Sequence, residues 1–298
     1  SAPFVKKEYN ALRDLGLDID LYAYSGGWSM VNYANHLYKI YRLIKTKKYD
    51  ILHARFGQCG VLAIFFKDTK SIVTFGGSDL TGTKTIFFLK NFVLTRLSRF
   101  VANKCDKVIL VSSSLKKYIK NNNYSIIPSG VNIKIFKPID KNLARDKLSL
   151  SLDKKYILFV GNPKNKIKQF HIIKELCSNL QSLNSGFDVE LLIVNGKKDY
   201  EVSLYMNSAD CLVLTSLHEG SPNVVKEAIA CELPIVSFDV GDVRAHIRHF
   251  KECFLVNKKS QRVPLLFDYT KKVLSKNERI NGGFKYVKNN ISTDIMAE

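Results

Sequence analysis

Thr215-Ser-Leu-His-Glu-Gly-Ser-Pro-Asn-Val-Val-Lys-Glu-Ala-Ile-Ala-Cys-Glu-Leu-Pro234 is the stretch on which the reading of the fold turns. The run Cys211–Thr215 leading into it is short and continuously apolar, as a strand buried on both faces would be. Gly220 and Ser221 make a loop. Pro222 stands where a helix would begin, and proline is favoured in a first turn because its missing N–H would have no intrahelical partner. Pro222–Cys231 then reads as a helix and Pro234–Phe238 as the next strand. A helix that starts just past a strand end offers several N–H groups and a partial positive charge to the loop, an anion site suited to a diphosphate. Glu219 and Glu227 flank it. Beside an anion they make sense as acceptors for hydroxyls: a carboxylate can take two hydrogen bonds from a vicinal diol, each roughly 1.5–3 kcal/mol. A nucleotide sugar carries such diols on ribose and hexose. The spacing alone also fits an ordinary strand–loop–helix with solvated acids.

Outward from this segment the pattern repeats. Strands are expected at Ile19–Tyr24, Asp50–Ala54, Ser71–Phe75, Lys107–Ser112, Tyr156–Gly161 and Val189–Asn195, with helices at Met30–Thr46, Thr83–Asn103 and Ile167–Ser182. Such β-α alternation predicts parallel sheets with crossover helices. It pauses at Ile127-Pro-Ser-Gly-Val-Asn-Ile-Lys-Ile-Phe-Lys-Pro138, where two prolines and a glycine punctuate the chain. That segment predicts two domains, 1–137 and 138–298, with the last helix packing back on the first.

The chain of 298 residues, 46% of them hydrophobic, suffices for two such domains. No apolar run approaches the roughly 20 residues of a membrane-spanning helix, and Ser1–Tyr9 does not have the make-up of a secretory leader. The six cysteines form no C-x-x-C pair, which suits free thiols in a reducing cytosol. Residues 1–137 carry 22 Lys and Arg against 8 Asp and Glu, net +14, leaving 24 against 19, net +5, for the remainder. A basic half of this kind attracts phosphates or anionic lipid, although a Lys-, Asn- and Ile-rich coding bias would produce it too. No nucleic-acid-binding module or dense basic–aromatic stripe is present, and no nucleic-acid partner is expected.

Glu219-Gly-Ser-Pro-Asn223, followed by Lys226-Glu-Ala-Ile-Ala230, Leu233-Pro-Ile-Val236 and Val240-Gly241, resembles glycosyltransferase family 4, with its E-x7-E motif. Ser208–Ser216 resembles the strand that leads into that motif. Ile127–Pro138 resembles the family's interdomain I-P-N-G-V-D-x-x-x-F-x-P, and Val160-Gly161 with Lys168 its G-R…K donor loop. Leu52-His-Ala-Arg-Phe-Gly57 and Val73-Thr-Phe-Gly-Gly-Ser-Asp79 resemble its H-A-H and T-x-H-G-x-D segments. The resemblance implies an α/β GT-B fold, two Rossmann-like domains whose parallel sheets face a central cleft. It also implies a retaining transfer from a nucleotide diphosphate sugar, a UDP-sugar by family frequency, with no metal or other cofactor. The acceptor would be a saccharide or a polyprenyl-linked sugar, in synthesis of a surface polysaccharide or glycoconjugate.

Carried over, Glu219 would contact the transferred sugar and Glu227 the ribose. Gly220, Ser221, Pro222 and Asn223 would bring backbone to sugar and diphosphate. Lys168 would neutralise the leaving diphosphate, with Gly161, Asn162 and Lys166 completing the donor loop. His53 is the first-domain catalytic candidate, though a lone His at a strand end also reads as structural. Gly76, Gly77 and Asp79 fall on the acceptor side. The chain departs from the family in three places. Asn162 stands where the family has Arg, and Lys164 or Lys166 would have to substitute without Arg's fork. Gly76 stands where the family has a sugar-contacting His. The family's first strand and Gly-rich loop should precede Ala2–Val5. These departures keep open a non-catalytic or weakly active nucleotide-sugar-binding relative. Asp18-Ile-Asp20 spells a D-x-D metal motif but lies far from the donor segment and reads as solvated charge.

Thr83–Asn103 is apolar, aromatic and free of acids, with Lys84, Lys90, Arg96 and Arg99. It reads either as a core helix with a basic edge or as an interfacial helix. The latter would place the protein in the cytoplasm, peripheral on the inner face of an anionic membrane.

Overall fold

The structure is a computed structural model and describes residues 3–23, 30–82, 88–182, 186–257 and 262–297. The chain divides into two compact units, Ser1–Ser129 with Ala297–Glu298, and Gly130–Met296.

The first unit runs α1 (Pro3–Asp14), α2 (Met30–Lys47), β1 (Ile51–Arg55), α3 (Gly57–Ala63), β2 (Lys70–Phe75), α4 (Ser78–Thr81), α5 (Phe88–Lys104), β3 (Lys107–Leu110), a tight helical turn at Ser113–Tyr118 and β4 (Tyr124–Ile126). The four strands pair in parallel in the order β1-β2-β3-β4. Val73, Phe75, Val108 and Leu110 from the sheet are fully buried with Val101 and Ala102 of α5. α3 lies close against α5, where a Cβ on Gly57 would stand 2.2 Å from Ser98 Oγ. α5 thus presents Thr95, Ser98, Val101 and Ala102 inward and leaves Phe92, Val93 and Phe100 exposed.

The strand expected at Ile19–Tyr24 does not form over 17–23, and Tyr24 lies outside the described residues. Leu21 and Tyr22 are 45% and 37% exposed, so the segment has no face to bury. Asp20 is held by side chains, Lys47 Nζ at 2.7 Å and the Tyr49 hydroxyl, rather than by a ladder. This Asp18-Ile-Asp20 segment is exposed charge. Residues 83–87 of the expected Thr83–Asn103 helix also lie outside the described residues.

The second unit continues with α6 (Lys141–Lys147), β5 (Lys155–Val160), a helical turn at Lys166–Lys168, α7 (Phe170–Ser182), β6 (Val189–Val194), α8 (Asp199–Ser208), β7 (Cys211–Leu214), α9 (Asn223–Ala230), β8 (Ile235–Phe238), α10 (Val243–Ile247), β9 (Phe254–Val256), α11 (Arg262–Lys276), α12 (Gly283–Asn290) and α13 (Thr293–Ala297). Its parallel sheet has the order β6-β5-β7-β8-β9. All four residues of β7 and of β8 are buried, as their unbroken apolar runs require. The chain reverses direction of growth between β5's two neighbours, β6 and β7, a topological switch point at which α/β sheets bind ligands beyond the strand ends.

The Pro/Gly segment at 127–138 is shared between the units. From Gly130 onward it packs with the second: Val131 N–H donates to Ile291 O at 2.9 Å, Thr293 N–H donates to Val131 O at 2.9 Å, and Phe136 is 1% exposed in that unit's core. Among the described residues no helix is long and apolar enough to cross a membrane. All six cysteines are free thiols, and burial pushes the Cys177, Cys231 and Cys253 thiols up to about 12.

Asp210, just before β7, ties three elements together. Its carboxylate is 2% exposed and accepts from Arg145 Nη2 at 2.8 Å, from Tyr156 N–H at 2.6 Å and from Lys141 Nζ. A buried charge that loses its partner is strongly destabilising. Asp210→Ala should therefore lower unfolding free energy by about 3–5 kcal/mol in chemical denaturation; a loss under about 1 kcal/mol, typical of exposed pairs, would show that Asp210 does not staple β7 to β5 and α6.

Candidate active site

The loops that follow β5 and β7 are stitched to each other at backbone level. Leu217 N–H donates to Ile167 O at 2.8 Å, and Thr215 Oγ1 to Lys168 O at 2.8 Å. These bonds bring together two sequence-predicted residues 51 positions apart. Lys168 Nζ lies 2.6 Å from Glu219 Oε1, with both side chains about one-fifth exposed. The stem of Lys168 runs over Gly161, its Cε 3.5 Å from where a Cβ there would stand. The cation expected for a leaving diphosphate and the carboxylate expected for sugar hydroxyls are thus paired.

Asn162 is exposed, and its Oδ1 accepts from Lys164 N–H at 2.9 Å, so its side chain shapes the turn. Lys164 and Lys166 are both exposed.

Glu219–Pro222 lead into α9, where Asn223 is the first helical residue and Pro222 precedes it in extended backbone. No side chain caps this end; Val225 N–H turns to Pro222 O at 3.1 Å, which leaves the Asn223 and Val224 N–H groups for a ligand. Asn223 Oδ1 is buried without a hydrogen-bond partner. Glu227 lies one turn further along, half-buried. A third loop completes the arrangement. Gly241, at φ +59°, lies so close that a Cβ would stand 2.5 Å from Gly220 O and 3.0 Å from Glu219 O. Only glycine fits both the left-handed backbone and the contact.

Two residues here were not among the expected site residues. Lys226 in α9 is fully buried and donates to Ser221 Oγ at 3.1 Å. Burial pushes its pKa down to about 8 against the pull of Asp242 and Glu227. The signal lay in the sequence: the lysine follows Val224-Val225 directly in a short helix whose Val224, Val225, Ala228 and Ile229 are all buried. Asp242, with a 9% exposed side chain, follows Gly241 and lies 3.4 Å from His246 Nε2.

In the first unit the expected residues form a group of their own. His53 Nε2 lies 2.7 Å from Thr74 Oγ1. His53 is an exposed residue of β1, yet desolvation by the surrounding protein first, and the Arg55 charge second, push its pKa down to about 4. The imidazole is neutral at physiological pH. Arg55 pairs with Glu8 of α1. Asp79 accepts from Gly77 N–H at 2.9 Å and, more weakly, from Gly76 N–H at 3.4 Å, so these amides are already taken by an internal carboxylate. The Cβ that Gly76 lacks would meet Phe56 Cε1 at 3.2 Å, and Phe56 itself sits at φ 73°. Of the basic residues in and before α5, Arg99 is structural, giving two hydrogen bonds to Leu80 O at 3.1 and 2.9 Å. Arg96 lies over the exposed Phe92 ring, 4.8 Å from its centroid. Lys84 and the Lys90 side chain lie outside the described residues. Among the described residues no three His, Cys, Asp or Glu side chains group as a metal site would.

Residues 5–135 match the model of Glycosyltransferase Family 4, and residues 193–264 match that of Glycosyl transferases group 1. Each model matches a part of the chain, and together they make it similar to the group 1, family 4 glycosyltransferases. The chain is 24% identical over 236 residues to the glycosyltransferase TuaC of Bacillus subtilis (strain 168), named for teichuronic acid biosynthesis, a match that spans 71% of this chain but 59% of that protein. It is 23% identical over 307 residues, 87% of the chain and 78% of the relative, to the Escherichia coli UDP-Gal:alpha-D-GlcNAc-diphosphoundecaprenol alpha-1,3-galactosyltransferase. The sucrose-phosphate synthase structure from Thermosynechococcus elongatus superposes with a TM-score of 0.75 at 17% identity, over 99% of this chain and 90% of that one. The architecture is that of the GT-B fold.

Glu219→Gln would break the pair with Lys168 without removing its hydrogen-bonding shape. Calorimetry should find UDP bound as well or a few-fold tighter, with the preference for UDP-sugar over UDP reduced. A loss of about tenfold or more in UDP affinity would mean instead that Glu219 holds Lys168 in its binding position.

Proposed function

We propose that this chain transfers a sugar, with retention of configuration and without a metal ion, from a nucleotide diphosphate sugar to a saccharide or polyprenyl-linked acceptor. The observation that carries the reading is the Lys168–Glu219 pair beside an uncapped eight-residue helix start. Donor and acceptor identities draw on the relatives' names, and a UDP-sugar is the favoured donor. On binding, the diphosphate takes the place of Glu219 as the partner of Lys168, and α9's first amides supply the remaining positive charge. Glu219 turns to the sugar hydroxyls, and Glu227 accepts from the ribose diol. Charge then builds on the departing diphosphate, where cation and amides already stand. The acceptor hydroxyl attacks the anomeric carbon from the face of the leaving group as the bond to the diphosphate breaks, its proton passes to the departing diphosphate oxygen, and the anomeric configuration is retained. No step calls for a general base with a pKa near 7, which agrees with a His53 held neutral.

Glu227→Ala should weaken nucleotide diphosphate binding by roughly 1.5–3 kcal/mol, read by calorimetry. In the same preparation, transfer in EDTA should match transfer with added Mg or Mn, and the product anomer should match the donor's. Unchanged affinity in the variant, a strict metal requirement or an inverted product would each remove one part of the proposal. A chain that binds the nucleotide yet neither transfers nor hydrolyses the donor would be the non-catalytic relative that Gly76 and Asn162 suggest.

The acceptor side is proposed to work at an anionic membrane surface. Supporting this, Phe92, Val93 and Phe100 stand exposed on α5 with Arg96 among them, in the half of the chain that carries net +14. Each basic residue near such a surface contributes about 1 kcal/mol, screened beyond roughly 8 Å. Replacing Lys84, Lys90 and Arg96 with Gln, and leaving structural Arg99, should release the protein from anionic vesicles while donor binding stays unchanged. Equal pelleting with neutral and anionic vesicles would contradict it.

A further inference from the structure

Lys226 is out of place for its chemistry. It is the fourth residue of α9, on a helix whose Val224, Val225, Ala228 and Ile229 are buried, and its own side chain is among the largest in the protein with no exposure. Taking an ammonium out of water is strongly unfavourable unless something repays it, and an apolar residue there would pack more simply. Its hydrogen bond runs to Ser221 Oγ at 3.1 Å, on the loop that leads into α9. Two acids face it: Glu227 from α9 itself and Asp242 from the loop before α10. Asp242 is buried in turn, with Oδ1 lacking a hydrogen-bond partner and Oδ2 3.4 Å from His246 Nε2. His246 continues to the Tyr286 hydroxyl of α12, Nδ1 to oxygen 3.3 Å. The same loop carries Glu219, paired with Lys168. A buried cation thus lies directly beneath the loop and helix start that are to receive an anion, bonded to one side chain of that loop and facing an acid of the loop that Gly241 presses against it.

We propose that Lys226 is a positioning residue of the donor site, a second and buried cation that fixes Ser221 and the 219–222 loop for the diphosphate sugar and strengthens the site's field for its anion. This rests on the donor-site reading above and deepens it. The site then has a half-buried cation that exchanges partners, Lys168, and a fully buried one that does not.

A consequence follows from the group's poise. Burial lowers Lys226 to about 8, with Asp242 and Glu227 pulling the other way. A nearby diphosphate favours the charged form. Above about pH 8 binding must therefore draw a proton from solvent, and nucleotide affinity must fall as pH rises through that range. At pH 7 the group is already about nine-tenths charged, and uptake by it should fall to about a tenth of a proton or less. The UDP phosphates are fully ionised in the alkaline window, and Tyr286, raised above its ordinary value of 10 by burial, titrates beyond it.

The test is calorimetry of UDP binding at pH 8.5 in buffers of different ionisation enthalpy, repeated at pH 7. The wild-type chain should take up a measurable fraction of a proton at pH 8.5 and several-fold less at pH 7. Lys226→Met should abolish the uptake and weaken UDP binding about tenfold at pH 7. Should Lys226→Met not fold, Lys226→Gln, which can keep a bond to Ser221 but has no charge, serves in its place and should likewise lose the uptake. A purely structural lysine would change stability without proton linkage. The proposal is overturned if the wild type binds UDP with no uptake at pH 8.5, or if the uptake persists in the variant. Absence of binding to any nucleoside diphosphate would remove the donor-site reading, and this proposal with it.

Discussion

Backbone meets backbone where Gly241 lies against the carbonyls of Glu219 and Gly220, and the site of the second unit depends on that contact. It sets the 219–222 loop from one side, while the bonds from Leu217 to Ile167 and from Thr215 to Lys168 set it from the other. Between these constraints the loop delivers Glu219 to Lys168 and opens α9 without a cap. No side-chain network could hold the loop this closely, because a single Cβ at 241 would collide with it.

Beneath lies a fold chosen by burial. The strands β7 and β8 are covered on both faces and end together, so the loops beyond them share one edge of the sheet. Asp210 fixes the start of β7 through Arg145 and the Tyr156 amide. The same strand therefore has a charged staple at one end and the candidate chemistry at the other. The first unit follows the same parallel logic but spends its polar groups differently. Asp79 fills the amides of Gly76 and Gly77 from within, and Arg55 meets Glu8.

The parallel strands and the donor loop could be read from residues because unbroken apolar runs have few other uses, and because proline and glycine mark where a helix starts. Other features escaped for physical reasons. Ile19–Tyr24 has a strand's composition, but composition does not supply a pairing edge, and its side chains stay in water. β4 and β9 have three residues each, too few to show a period. The Lys168–Glu219 pair crosses 51 positions and was reachable only through resemblance to a family. Lys226 stands within the motif, but a lysine in a sequence ordinarily means surface. Arg99 looked like membrane charge and is instead bonded to the Leu80 carbonyl, a partner no local pattern announces.

Amide hydrogen exchange with and without a nucleoside diphosphate tests the central claim most directly, because it reports where the anion sits without requiring turnover. The account predicts new protection concentrated in 219–225, with a second region at 161–168, since loop and helix start are stitched together there. Protection confined to 53–79, or spread evenly over both units, would contradict it.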